Sequence, residues 1–132
     1  MPRIIIDCNL LIKKISKKTG VINKIVEQCL KNKFQPLVSQ KVLKECLDYI
    51  GQSDLNPDYQ DMLEDYFSIS EIIKADFDLV EVNGTAESNK YIQCALAGQA
   101  DYLVTENKDL LKLQKFFRTE IVTPQDFLSM TK

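Results

Sequence analysis

The chain has 132 residues, of which 27% are charged and 45% hydrophobic, with only four glycines and four prolines. This length and composition predict one globular domain over residues 1–132 and exclude a disordered chain or a repeat protein. The sequence contains no histidine, which excludes Ser-His-Asp and Cys-His catalysis and zinc sites built with histidine.

The net charge of −2 is the average of an uneven distribution. Residues 1–50 carry ten basic against four acidic side chains, whereas residues 51–88 carry one lysine against ten acids. The densest basic run, residues 13–18, favours RNA binding, although a solvated helix face is the commoner explanation of a single lysine run. The acidic segment, residues 54–81, has no predicted role beyond a solvated helical face.

The cysteines and the absence of a recognisable export signal indicate the cytoplasm. Cys8, Cys29, Cys46 and Cys94 lie too far apart in the sequence for a metal ribbon or a redox motif, so we expect buried, reduced thiols. Polar residues interrupt the apolar stretch at the start of the chain, and no segment resembles a signal peptide or a membrane span. No membrane partner is therefore expected.

Strand-like and helix-like segments alternate along the chain. Residues 3–6 are apolar without alternation, which is typical of a strand buried on both faces of a parallel sheet. The other predicted strands are residues 36–39, 77–82, 102–105 and 120–122. Helices are predicted around residues 10–15, 21–30, 40–51, 57–75, 88–97, 108–116 and 124–130, with a possible division at 68–70. This order predicts a three-layer α/β/α sandwich with a mostly parallel five-stranded sheet.

Polar side chains cluster at the predicted carboxyl ends of the strands, where functional groups of open parallel sheets gather. They are Asp7 and Asn9 after the first strand, Glu45 in the helix after the second, Ser88 at the start of a later helix, and Asn107 and Asp109 after the fourth. Converging carboxylates repel one another and are tolerated mainly around a hard cation, of which Mg²⁺ is the natural candidate.

Three segments resemble the PIN-domain nucleases, in particular the toxin components of bacterial toxin-antitoxin pairs. The first is IIIDCNLLI, which is similar to the family's strand followed by Asp-x-Asn, and the second is VSQKVLKECLDYI, which places the family's acid on Glu45. The most specific is CALAGQADYLVTENKDLLKL, followed by IVTPQDFL. Together they cover most of the chain except residues 51–84, and they imply a PIN-like fold.

The resemblance also implies a function and its residues. The family cleaves RNA with Mg²⁺ or Mn²⁺, a chemistry that does not need histidine. Asp7, Glu45 and Asp109 are then the expected catalytic and metal-binding acids. Asn9, Lys13, Lys14, Ser88 and Asn107 are the expected substrate-binding residues. The implied partners are RNA, an antitoxin protein and a second copy of the chain.

Two departures from the family pattern lie in this site. Ser88 and Asn107 stand where the family has aspartates, so the site loses two formal negative charges and should bind Mg²⁺ weakly. Glu87 and Glu106, each one residue from a lost acid, are possible substitutes whose side chains start from the wrong backbone position.

Two hypotheses of function follow. In the first, the chain is a PIN-like ribonuclease with reduced catalytic power; in the second, it no longer cuts and binds RNA or an antitoxin-like protein through the same groove. Each acid also has a purely structural explanation, because Asp7, with Asn9, suits a helix cap, Glu45 suits an exposed surface position, and Asp109 suits the first turn of a helix. The aromatic residues 116, 117 and 127 are predicted to be core rather than base-stacking platforms.

Overall fold

The computed structural model describes residues 1–17, 20–74 and 86–131, and for residues 86–88 it describes the backbone alone. These residues form six strands and seven helices. In chain order they are β1 Arg3–Ile6, α1 Cys8–Lys14, α2 Val21–Leu30, β2 Gln35–Ser39, α3 Gln40–Gln52, α4 Pro57–Ile69, β3 Glu71–Ile73, α5 Ala86–Gly98, β4 Tyr102–Val104, α6 Lys108–Leu113, β5 Lys115–Phe116, β6 Thr119–Val122 and α7 Pro124–Met130. The predicted strand 77–82 lies outside the described residues.

The strands form one mixed sheet in the order β3-β2-β1-β4-β6-β5, with helices on both faces. All neighbours are parallel except β5, which runs antiparallel to β6. The predicted α/β/α sandwich is confirmed, with six described strands where five were expected. None of the described helices is both long enough and apolar enough to cross a membrane.

The first strand forms the centre of the sheet because its side chains are apolar in both directions. Ile4, Ile5 and Ile6 are all almost fully buried, and β1 pairs with β2 on one side and β4 on the other. The carboxyl ends of β2, β1 and β4 therefore meet at one edge of the sheet. The segments that follow these strands contain five of the residues predicted to be functional: Asp7, Asn9, Glu45, Asn107 and Asp109.

Residues 57–75 are not one continuous helix, because α4 ends at Ile69 and a short strand follows. The Ser70 backbone N–H donates to the Phe67 carbonyl at 3.2 Å, and the Ser70 hydroxyl donates to the Tyr66 carbonyl at 2.8 Å. These bonds satisfy carbonyls that a continuing helix would have used. Residues 71–73 then extend alongside β2 in parallel register.

The predicted helix 108–116 is also shorter than expected. Gln114 has a left-handed φ of 60°, which ends α6 and lets residues 115–116 pair with β6. The turn between these strands carries Phe117, which is 72% exposed, so its assignment to the core was wrong. Phe116 is partly buried against the core, and Phe127 is fully buried as predicted.

Candidate functional site

Asp7 lies at the carboxyl edge of the sheet between β1 and α1, and only 6% of it is exposed. One carboxylate oxygen accepts from the Asn9 backbone N–H at 2.9 Å, which caps α1, and from the Tyr91 hydroxyl at 3.1 Å. The other oxygen accepts from the Thr105 hydroxyl at 2.9 Å. Three neutral donors thus hold the carboxylate in one orientation, which suits a buried charge.

Thr105 connects Asp7 to Asn107. Its side-chain oxygen, completely buried, accepts from the Asn107 backbone N–H at 3.0 Å. The Asn107 side-chain oxygen accepts from the Leu110 N–H at 3.1 Å, so Asn107 is the N-cap of α6. The residue that stands where the family has an aspartate therefore has a clear structural role in this chain.

Glu45 is paired with a lysine on the facing helix. The Lys90 ammonium lies 2.7 Å from the Glu45 carboxylate, and the Lys90 side chain is 10% exposed against 44% for Glu45. The same ammonium lies 5.4 Å from the centre of the Tyr91 ring, within the range of a cation-π contact. Lys90 and Tyr91 are neighbours in α5, so this helix contacts two of the three predicted acids, Asp7 and Glu45.

A cavity of about 180 Å³ brings Asn9 and Glu45 together. Its other lining residues are Cys8, Ile12, Tyr49, Lys90 and Tyr91. We call this space the cleft. Asp7 lies next to it, because Cys8 and Asn9 follow Asp7 in the chain and Tyr91 donates to its carboxylate.

The other predicted site residues are not among the described residues that line the cleft. Lys14 lines a separate cavity together with Lys17 and Glu106, and Lys13 is exposed on α1. Asp109 is half-buried in the first turn of α6. The side chains of Glu87 and Ser88 lie outside the described residues, although Ser88 belongs to the first turn of α5.

Three residues that touch the predicted acids were not predicted: Lys90, Tyr91 and Thr105. Tyr91 falls inside the predicted helix 88–97, and Thr105 falls inside the predicted strand 102–105. Thr105 carries a usable signal, since it directly follows β4, and β4 pairs with β1, the strand that ends just before Asp7. Lys90 carries none, because its partner is 45 residues away in the sequence.

Cys8 and Cys46 are joined by a disulfide, with their α-carbons 6.2 Å apart. The expectation of four reduced thiols was therefore wrong for this pair, because the fold brings together two cysteines that are 38 residues apart. Each follows one of the predicted acids, Asp7 or Glu45, directly in the sequence. Cys29 and Cys94 are free, and burial raises the pKa of both thiols to about 12, which makes them unreactive.

The described side chains do not fit a divalent cation. No group of three or more Asp, Glu or Cys side chains converges within the described part of the chain, and the sequence has no histidine. Mg²⁺ keeps its water unless charged carboxylates replace it, and Glu45 already neutralises a lysine. Among the described side chains, Asp7 and Glu45 provide too little free negative charge at the cleft for a tight site.

Comparisons with known proteins agree with this arrangement of strands and helices. A chain of VapBC2 from Rickettsia felis, in a crystal structure bound to a DNA fragment from their promoter, superimposes with a TM-score of 0.60 at 19% identity. The alignment covers 90% of this chain and 96% of that chain. Among curated proteins no match was found. Residues 3–109 match the model of the PIN domain, and because this match spans most of the sequence, the chain belongs to the PIN domain family.

Proposed function

We propose that this chain is an RNA-binding PIN domain in which metal-dependent cleavage of RNA is impaired. One observation carries the proposal: the Lys90 ammonium lies 2.7 Å from Glu45, where the family's chemistry needs a free carboxylate. Ser88 and Asn107, in place of two expected aspartates, remove further charge. A cleft with less negative charge repels an RNA phosphate less and attracts a cation less.

The proposed roles follow the position of each residue. Asp7, Glu45 and Asp109 are the remaining acids and supply whatever affinity the site keeps for Mg²⁺ or Mn²⁺. Asn9, Ser88 and Asn107 offer neutral polar groups to the RNA. Lys13 and Lys14 contact its phosphates from α1. Because Asp7 already accepts three hydrogen bonds, we expect its main task to be orienting α1 and Asn9 rather than binding metal.

A metal titration tests the impaired site. A ligand that binds only the folded state raises the free energy of unfolding by RT ln(1 + [L]/Kd), where [L] is the free ligand concentration. We expect the thermal unfolding midpoint of the wild type to be the same in millimolar Mg²⁺ or Mn²⁺ as in a metal-free sample that contains a chelator. A clear upward shift would show a competent metal site and contradict the proposal.

Restoring the two acids gives the complementary test. We expect the double variant Ser88→Asp/Asn107→Asp to gain stabilisation by Mg²⁺ and to cleave a labelled RNA in a chelator-sensitive manner. Asn and Asp are equivalent N-caps, so the second substitution leaves the start of α6 intact. Glu45→Gln in the same background is the control that should lose the gain. If the wild type cuts as fast as the double variant, the site is not impaired.

A protein partner of the antitoxin kind is a second candidate function. It is favoured by an exposed apolar patch on α3 and β3, where Leu47 and Ile72 are 45% and 49% exposed and line one shallow cavity. We expect the chain to copurify with a small protein encoded beside it, and Leu47→Lys to abolish this. Light scattering separates such a complex from a homodimer. Unchanged copurification by the variant would rule out this patch.

A further inference from the structure

Another cavity, of about 170 Å³, lies at the carboxyl ends of β2 and β3 and is lined by three lysines. They are Lys41 in the first turn of α3, Lys74 directly after β3, and Lys90 from α5. The other described lining residues, Ser39, Gln40, Ile73 and Gln93, are neutral. No acidic side chain among the described residues lines this lysine cavity.

The lysine cavity and the cleft are neighbours, because Lys90 lines both of them. Its ammonium is paired with Glu45, so the charge of Lys90 is largely balanced at the boundary. Lys41 and Lys74 are both exposed and supply the positive charge of the cavity. A ligand that occupies both spaces, on either side of Lys90, therefore lies partly in the weakly acidic cleft and partly in the basic lysine cavity.

This order of charges fits a chain of phosphates. Two ammonium groups beside the side-chain amides of Gln40 and Gln93 can contact one phosphodiester with charge-assisted and neutral hydrogen bonds. We propose that the lysine cavity binds a backbone phosphate of the RNA whose adjacent nucleotide occupies the cleft. The proposal rests on the proposed function, and it extends the path of the RNA across Lys90 toward β3, in addition to the contacts with Lys13 and Lys14.

The test is RNA binding by fluorescence anisotropy with a labelled ten-nucleotide oligouridine, in the presence of a chelator and over a range of salt concentrations. We expect Lys41→Gln/Lys74→Gln to weaken binding by roughly tenfold. The negative slope of log K against log salt concentration should become shallower by about 0.7, the value for one phosphate contact on a single strand. Lys33→Gln is the matched control, because Lys33 is exposed just before β2, at the opposite end of that strand.

The outcomes separate this proposal from the function on which it rests. If the wild type binds RNA and the double variant matches Lys33→Gln in affinity and slope, the phosphate subsite is wrong and the RNA-binding function stands. If the wild type binds no RNA, both fail. Equal binding of poly-glutamate and of RNA, lost together in the double variant, would show a general polyanion surface and also overturn the proposal. Unchanged unfolding midpoints of the variants confirm that both remain folded.

Discussion

Lys90 determines the charge that a ligand meets beside Glu45. Its side chain is largely buried between the cleft and the lysine cavity, its ammonium contacts Glu45, and it lies near the Tyr91 ring. A buried ammonium that lost this carboxylate would be costly, so the pair should persist in solution. We therefore expect the affinity of the cleft for cations to depend on Lys90, which is itself not an acid.

Replacing Lys90 by methionine tests this at the residue scale. Met keeps an unbranched apolar stem and removes the charge, so Glu45 becomes available to a cation. We expect Lys90→Met to raise the unfolding midpoint in millimolar Mn²⁺ more than in its absence, with little change for the wild type. Lys90→Met/Glu45→Gln is the control and should show no such gain. An identical metal response of wild type and Lys90→Met would mean that the pair does not limit metal binding.

At the element scale, Arg3 ties β1 to three other parts of the fold. Its guanidinium donates to both Glu71 oxygens at 3.1 and 2.7 Å and to the Gly98 carbonyl at 3.0 Å, while its backbone N–H donates to Asp101 at 2.8 Å. Burial raises the pKa of Asp101, but the bonds from Arg3 and Arg118 outweigh it and the net shift is downward. This clamp holds the edge strand β3 in place across β2.

The clamp predicts a loss of stability in acid. The hydrogen bond from Arg3 lowers the pKa of Glu71 below its ordinary 4.5, so its contribution is present above that value and is lost as the pH falls through the folded-state pKa. We expect the thermal unfolding midpoint of Glu71→Gln to fall less between about pH 5 and pH 3 than that of the wild type. The effect should be at most about 1 kcal/mol, since the pair is partly exposed.

A matched acid distinguishes this effect from general acid unfolding. Glu64 is exposed on α4 and lies outside the clamp, so Glu64→Gln should follow the wild-type pH profile. Should Glu64→Gln and Glu71→Gln give the same profile, the clamp contributes nothing specific.

The Cys8–Cys46 disulfide connects α1 to α3 and closes a loop over 38 positions of sequence. A cross-link of this span restricts the unfolded chain and typically stabilises a protein by about 2–4 kcal/mol. We expect a reductant to lower the urea midpoint of the wild type by a corresponding amount. Cys46→Ala should unfold at the same midpoint with and without reductant. If the urea midpoint of the wild type is the same with and without reductant, the disulfide does not contribute to stability.

At the scale of the whole molecule, the core is centred on the sheet, and α7 packs against it through Phe127. Phe127 is fully buried, and its ring lies edge-on to Phe34 and Tyr102, with centroids 5.0 and 5.2 Å apart. The last helix thereby packs against residues from β4 and from the segment before β2. Its packing is a global feature that no single local motif provides.

Truncating this ring should destabilise the entire fold. Phe127→Ala leaves a cavity in the core, and we expect a loss of about 3–5 kcal/mol in the free energy of unfolding, measured with urea. Phe117→Ala is the control of equal chemistry, since Phe117 is 72% exposed, and it should cost no more than about 0.5 kcal/mol. Similar losses from both would mean that α7 is not part of the cooperative core.

The sequence predicts those parts of the fold that depend on local patterns. The apolar run of β1, the cap at Ser39 and the proline at the start of α7 indicate their elements directly. Because functional groups gather at the carboxyl ends of parallel strands, the prediction of β1 also leads to Asp7. The family prediction is confirmed. Other features depend on contacts between distant residues and were missed: β3, whose three residues become a strand only beside β2, and the pairing of Glu45 with Lys90.

The helix caps at this edge of the sheet need a side-chain oxygen but no charge. Asp7 and Asn107 start α1 and α6 through their side-chain oxygens, as Ser39 starts α3. Asp, Asn and Ser cap helices almost equally well, so exchanging one for another removes or adds a charge at nearly constant stability. A PIN domain can therefore exchange an aspartate at a capping position for a neutral residue and keep its shape, so the fold does not depend on the charge at this edge of the sheet.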